Sequence, residues 1–354
     1  MTATQERNIA HGGALAAASA AFSLPRERWL DLSTGINPES WPVPELPQSV
    51  WQRLPDEDEL EAVAAEYYAC TETQPLAVPG SQWAIEHVPA LLKPAGVAMP
   101  AVTYAEHPFA WQRAGHQLHF YRNWRELDAL LESGICRYLV VVNPGNPCGR
   151  VAPEGAIAQW RRLLGEQGLC LIDEAFQDVM TSSLNVGDHG LAAGVGYAEC
   201  IRLRSVGKFF GLAGIRLGFV LAAAARRQQL EAQCSPWSVS HPARYVGAQA
   251  LADRNWQQSQ RQRLWRSSDW LAALFQSYFP NYDWHSAGLF VSARLPVAAA
   301  KALYSDMARQ GVLLRLRDDG EDAPGLAYIR VGLPPASEQA RLERILEQLV
   351  CDVA

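Results

Sequence analysis

Short apolar runs alternate with helical patterns over the first two thirds of this chain, and that alternation admits few folds. Leu76–Val78, Val97–Met99, Leu118–Tyr121, Tyr138–Val142, Leu169–Ile172, Cys200–Leu203 and Ile215–Leu221 each read as a strand. Strands alternating with helices predict an α/β fold with a mainly parallel, seven-stranded sheet. Beyond about Pro236 the pattern changes. A long Gln/Arg-rich helix near 243–277 leads into strands near Leu289–Arg294, Val312–Leu316 and Tyr328–Val331, with helices between, which predicts a smaller α+β domain. Residues 1–40 have weak periodicity and are expected to pack with that smaller domain. Residues 41–240 are expected to form the large domain, and 241–354 the interdomain helix and the small C-terminal domain.

The charge balance narrows the partners. The 354 residues carry 31 basic and 37 acidic side chains, a net charge of −6, which gives a nucleic-acid surface no support. No apolar run reaches the roughly 18 residues that a membrane helix requires. The Ala-rich stretch Ala14–Ala21 is short and has only Arg7 as a basic flank, so it does not read as a signal peptide. Seven scattered Cys fit free thiols in a reducing cytoplasm.

Only three of the basic residues are Lys: Lys93, Lys208 and Lys301. A chain that otherwise uses Arg invites the question of what an amine does that a guanidinium cannot. An amine can lose its proton and attack a carbonyl. Lys301 lies on an Ala-rich helical pattern and Lys93 precedes Pro94, both ordinary structural settings. Lys208 sits between Gly207 and Phe209, directly after a strand, where desolvation lowers an amine's pKa.

Four motifs fall at the strand ends, where open α/β sheets bind their ligands. Pro79-Gly80-Ser81-Gln82 precedes a helix, offering close backbone approach, unpaired N–H groups and a hydroxyl, as a phosphate needs. A Ser at an ordinary strand-to-helix turn has the same sequence. Asn143-Pro144-Gly145-Asn146-Pro147-Cys148-Gly149 forms a turn that can present the Asn146 amide to a ligand oxygen, or is simply a tight loop. Asp173-Glu174-Ala175-Phe176 ends a buried strand, where a carboxylate needs a cationic partner, either a metal or a protonated heterocycle. The eight His show no ligand spacing, so metal is the poorer partner. Finally, Ser205-x-x-Lys208 runs on to Gly214-x-Arg216-x-Gly218. It is no P-loop, since Arg202 and Phe209 stand where that motif needs Gly and a hydroxyl. Ser205 and Arg216 can instead bind an anion beside the amine. A ligand with a phosphate, a carbonyl and a protonated ring nitrogen answers all of these parts, and pyridoxal 5'-phosphate has all three.

The ordered set of Asn143–Gly149, Asp173–Phe176 and Ser205–Gly218 resembles the fold-type-I pyridoxal-phosphate enzymes of the class I/II aminotransferase superfamily, over at least residues 30 to 332. The resemblance implies that Lys208 is the Schiff-base lysine, that Asp173 pairs with the pyridine nitrogen, and that Asn146 bonds the ring hydroxyl. It places Gly80, Ser81, Ser205 and Arg216 around the cofactor phosphate, makes Gln82 a further cofactor contact, and sets Tyr104 stacked on the ring with Phe176 beside it. It assigns the substrate α-carboxylate to Arg330 and implies a homodimer.

Within the superfamily, His11-Gly12-Gly13 and Leu32-Ser33-Thr34-Gly35-Ile36-Asn37-Pro38 are similar to the threonine-phosphate decarboxylase branch of cobalamin biosynthesis. That likeness implies decarboxylation of a small phosphorylated amino acid and makes His11, Asn37 and Arg315 further substrate contacts. The histidinol-phosphate aminotransferases share the core motifs and stand as the alternative, and a pyridoxal-phosphate fold reused as a binding module is the non-enzymatic one. Three positions depart from the superfamily pattern. Phe176 stands for the usual Tyr, a change in keeping with the decarboxylase branch. Leu54-Pro55 stands for Tyr-Pro, whose phenol reaches the neighbouring subunit's phosphate, and Cys148 for Thr.

Overall fold

The computed structural model describes residues 11–56, 58–180, 200–318 and 325–351. The first ten residues of the expected 1–40 segment, Arg7 among them, and the last three of 241–354 lie outside these. In chain order the strands are β1 (Leu30–Asp31), β2 (Leu76–Val78), β3 (Gly96–Pro100), β4 (Gln117–Tyr121), β5 (Cys136–Val142), β6 (Leu169–Asp173), β7 (Cys200–Ser205), β8 (Gly218–Leu221), β9 (His285–Ser286), β10 (Phe290–Pro296), β11 (Val312–Leu313), β12 (Arg315–Asp318) and β13 (Leu326–Gly332). Seven form one sheet in the order β2-β8-β7-β6-β5-β3-β4. Only β8 runs against its neighbours, β2 and β7, and the remaining pairs are parallel. The fold is therefore α/β with a mainly parallel seven-stranded sheet, as the alternation predicts. The interior strand β5 buries every residue but Arg137, because helices cover both faces of a parallel sheet.

A second sheet, β12-β13-β10-β9, is antiparallel. β1 and β11 make a separate two-stranded parallel ladder with Leu30 opposite Val312. Leu32 N donates to Leu313 O (2.9 Å) and Gly332 N donates to Leu32 O (2.7 Å), so the early chain is stitched between β11 and the end of β13. Ala18, from the helix Leu15–Phe22, packs with Trp29, Ala308 and Leu313.

Three elements differ from their sequence reading. The helix expected near 243–277 is two helices, His241–Ala252 and Arg254–Tyr278. Asp253 leaves the helical region with ψ 76°, and its Oδ1 accepts from Trp256 N at 3.0 Å, capping the second helix. The strand expected over Val312–Leu316 divides at Leu314, because β11 pairs with β1 whereas β12 pairs with β13. The strand expected from Ile215 starts at Gly218, because Ala213–Ile215 form a 3-10 turn and Arg216 adopts a left-handed φ of 52°.

A buried charge network ties β7 to the turn after β6. Arg202 grips Glu174 with two bonds, Nε to Oε2 (2.9 Å) and Nη2 to Oε1 (2.6 Å). Arg204 Nε lies 3.0 Å from Glu174 Oε2, and its Nη1 donates to Asp178 Oδ1 at 3.0 Å. All four side chains are buried. Burial pushes the Asp178 carboxyl up to about 6 against the pull of Arg204 and Arg261. Removing one member leaves buried charge uncompensated. Arg204→Met should therefore destabilise the protein by about 3–5 kcal/mol in urea unfolding. Lys301→Met, which breaks an exposed 3.7 Å pair with Asp318, should cost less than about 1 kcal/mol. Equal losses from the two would contradict this account of the network.

Candidate active site

Lys208 lies in a single helical turn, Val206–Phe209, that follows β7 immediately. Gly207 packs closely against the Ala213 backbone: a Cβ there would stand 3.0 Å from Ala213 Cα, tighter than an ordinary contact. Burial is the largest influence on the Lys208 amine, the Arg330 charge the next, and together they bring its pKa down to about 8 despite Asp173.

A cavity of about 140 Å³ opens at the strand ends, with Lys208, Asp173, Asn146, Ser81, Ser205 and Arg216 in its wall, joined by Gly80, Gln82, Tyr104 and Phe176. Gly80 has φ 76° and caps the helix Ser81–Ala90, whose first N–H groups have no side-chain cap. A Cβ on Gly80 would come within 2.7 Å of the Arg216 guanidinium, so glycine is what lets the helix start and the arginine share one corner. Backbone N–H groups, two hydroxyls and a guanidinium make that corner an anion site.

Asp173, 5% exposed, lines the same cavity. Its Oδ1 accepts from Ala175 N (3.0 Å), and its Oδ2 accepts from His107 Nε2 (2.9 Å). His107 is fully buried on the helix Glu106–Arg113 and was not among the residues expected from sequence. The available signal was its place three residues after Tyr104, in the first turn of the helix that follows. Tyr104 donates to Gln82 Oε1 at 3.0 Å, which fixes the aromatic wall. Phe176 is buried beneath the amine, its ring centre 5.4 Å from Lys208 Nζ and edge-on to Phe290. Asn146 Oδ1 accepts from Arg330 Nη1 (2.6 Å), and Arg330 Nη2 donates to Ser33 O (2.6 Å). Both Asn–Pro bonds of the 143–149 turn are cis. Arg330 Nε is buried without a hydrogen-bond partner, and burial with the neighbouring Arg315 charge lowers the Arg330 pKa to about 9.

A second cavity, of about 250 Å³, shares Lys208, Asn146, Tyr104 and Arg216 with the first and extends past Arg330, Arg315 and Arg317 to His11. No carboxylate lines it among the described residues. His11 Nε2 lies 3.0 Å from Glu106 Oε1, and its ring centre 5.9 Å from that of Tyr104. Gly12 and Thr34 complete that wall.

Asn37 is the exception, and its expected substrate contact is corrected here. Its Nδ2 donates to Phe209 O (2.8 Å), and its Oδ1 accepts from Glu39 N (2.9 Å) and Gln260 Nε2 (3.1 Å). Its N–H donates to Lys208 O (3.0 Å), so Asn37 braces the lysine turn from behind and lines neither cavity. Leu54 is 60% exposed and lines neither cavity. Cys148 lies on the far side of the turn, where its carbonyl accepts from His285 Nε2 at 2.9 Å.

Among the described residues no cluster of His, Cys, Asp or Glu is arranged to hold a metal ion, and no helix is long and apolar enough to cross a membrane. Residues 48–349 match the family model for class I and II aminotransferases. The chain is 39% identical to threonine-phosphate decarboxylase from Pseudomonas aeruginosa, over 96% of this chain and 97% of that one. It is 37% identical to threonine-phosphate decarboxylase from a Sinorhizobium species, over 96% and 98%. Its fold superposes on histidinol-phosphate aminotransferase from Sinorhizobium meliloti, solved with pyridoxal-5'-phosphate, with TM-score 0.79 and 16% identity, over 100% of this chain and 99% of that one. The lysine turn, the carboxylate and the glycine-bounded anion corner thus sit on a known scaffold, and the chain belongs to the class I and II aminotransferase family.

Proposed function

We propose that this chain is a threonine-phosphate decarboxylase acting in cobalamin biosynthesis: it releases carbon dioxide from L-threonine O-3-phosphate and leaves (R)-1-aminopropan-2-yl phosphate. The carrying observation is the charge of the second cavity, which sets Arg330, Arg315 and Arg317 beside Lys208 and lines itself with no carboxylate among the described residues. Such a wall suits a substrate that is anionic at both ends. Two relatives of near-equal length bear that name and support the same reading.

The cofactor is pyridoxal 5'-phosphate, and the first cavity fits it. The helix start at Ser81, with Ser205 and Arg216, would hold its phosphate, and Asp173 would face its ring nitrogen. Asn146 retains an amide nitrogen for the ring hydroxyl, and Tyr104 offers an aromatic face. When bound, the cofactor supplies an electron sink for the bond that breaks at the substrate α-carbon.

The protein's own residues set which bond that is. Arg330, held by Asn146 and Ser33, is the fixed guanidinium nearest Lys208 in charge influence and would orient the substrate carboxylate. Arg315 and His11 at the other end would hold the phosphate. Lys208 Nζ, with a pKa near 8, can return a proton to the α-carbon after carbon dioxide leaves and regain one near neutral pH. The His107 ring behind Asp173 keeps that carboxylate from turning. A homodimer in the cytoplasm is part of the proposal, with the exposed Trp51 and Leu54 as apolar surface for the second copy to cover.

Three outcomes test this. Borohydride reduction of the yellow holoenzyme should fix the cofactor to Lys208, and label on Lys93 or Lys301 would overturn the assignment. Phosphothreonine should yield carbon dioxide and aminopropanol phosphate, with kcat/KM at least about tenfold above threonine, since each lost charge-assisted bond costs about 1.5–3 kcal/mol. Keto acid and glutamate as products would favour the aminotransferase instead. The third is a pH profile. Only a neutral amine is nucleophilic, so acylation of Lys208 in cofactor-stripped protein should rise through about pH 8. Arg330→Met removes a repelling cation and should move that midpoint to higher pH, and a midpoint unmoved or lowered would refute the coupling.

A further inference from the structure

The turn that carries Asn146 is held at two points by the second sheet. Arg330 Nη1 donates to Asn146 Oδ1 at 2.6 Å, and His285 Nε2 donates to Cys148 O at 2.9 Å. A carbonyl oxygen only accepts, so Nε2 is a ring nitrogen that carries a hydrogen. The two donors come from different strands, β13 and β9, yet they belong to one row. Ser292 on β10 lies opposite His285 on one side and opposite Arg330 on the other. Residues paired directly across antiparallel strands project to the same face.

The backbone permits this approach. Gly149 has φ 68°, and a Cβ there would stand 3.0 Å from Ala287 Cβ and 3.7 Å from His285 Cδ2. Within the turn, Gly149 N donates to Gly145 O (2.7 Å) and Gly145 N donates to Arg150 O (2.8 Å), which closes a loop around Asn146 and Cys148. What holds the Cys148 carbonyl therefore also holds the backbone of Asn146. One point of attachment leaves a loop free to pivot, and a second fixes its orientation.

We propose that His285 is a positioning residue: by holding the Cys148 carbonyl it sets the Asn146 amide against the cofactor's ring hydroxyl and keeps Asn146 aligned with Arg330. This rests on the reading of Asn146 as the ring-hydroxyl contact, and not on which bond breaks at the substrate α-carbon.

The test uses three variants of the holoenzyme. His285→Leu removes the donor. His285→Gln keeps an N–H of similar reach. Ser292→Ala changes the middle of the same row, where the hydroxyl donates to Ile329 O rather than to the turn. The first readout is amide exchange over residues 143–150, which needs no turnover. His285→Leu should speed exchange at Gly145 and Gly149 about fivefold, the scale of one hydrogen bond. The second readout is the pH midpoint of the cofactor's absorbance change. An amide donor favours the charged form of the ring oxygen, so an Asn146 that drifts away raises the midpoint. His285→Leu should raise it, His285→Gln should bring both readouts back toward wild type, and Ser292→Ala should move neither. A merely structural role for His285 would lower the melting temperature and leave exchange in the turn and the midpoint at wild-type values. That result overturns the proposal, as does an equal change in Ser292→Ala. If His285→Leu does not fold, His285→Asn, whose amide is too short to reach the carbonyl, takes its place with the same expectations. Asn146→Ala tests the underlying reading separately: an unmoved midpoint there would sink the ring contact, while exchange in the turn would still decide whether His285 holds it.

Discussion

The pairing of Glu174 with Arg202 and Arg204 is the constraint on which the active site depends. Asp173 and Glu174 are adjacent, as are Arg204 and Ser205. Neighbouring residues in extended chain point to opposite sides. One member of each adjacent pair enters the network and the other lines the cofactor cavity. The ion pairs bond β7 to the turn after β6 through side chains, in addition to the backbone ladder that sets Asp173 opposite Leu203. Fixing Glu174 against two arginines therefore fixes Asp173 relative to the Ser205–Lys208 turn, both of which line the cavity. Such a buried network is costly to desolvate, and its value here is in position rather than stability.

Much of the cofactor site was legible because its parts are local. The turn at Asn143–Gly149, the carboxylate after a buried strand and the glycine-flanked lysine each show their chemistry within a few residues. The sheet was legible for the same reason: its strands are apolar runs bounded by turn residues. What escaped depended on distant partners. His107 matters only because β6 brings Asp173 to it, and one buried His on a helix does not announce a partner 66 positions away. Arg317 belongs to no motif, and only the β12–β13 register shows that it lies two residues from Arg315 and lines the same cavity.

Asn37 shows the opposite error. Its motif pointed to the substrate, yet every polar atom of its side chain is engaged by Phe209, Glu39 and Gln260. The resemblance named the residue, but the partners of its side chain come from distant parts of the chain. Similarly, Asp253 looked like an interior residue of one continuous helix. Its short side chain can replace a backbone partner, which makes it a good start for a new helix.

The ladder between β1 and β11 carries a consequence for how the molecule is made. Leu30 pairs with Val312 and with no strand nearer in sequence. During synthesis the segment from Leu30 to Leu32 emerges long before its partner, because the strands of the large sheet lie between them in the chain. The large sheet between them can form first, since its strands emerge in that interval. A region translated after the large sheet therefore completes the wall that holds His11 and Arg315 together. A chain truncated before Val312 would keep Lys208 and the large sheet, but the segment around Leu30 would have lost its place. Until that late pairing occurs, the segment presents unpaired backbone, a surface on which nascent chains can associate wrongly.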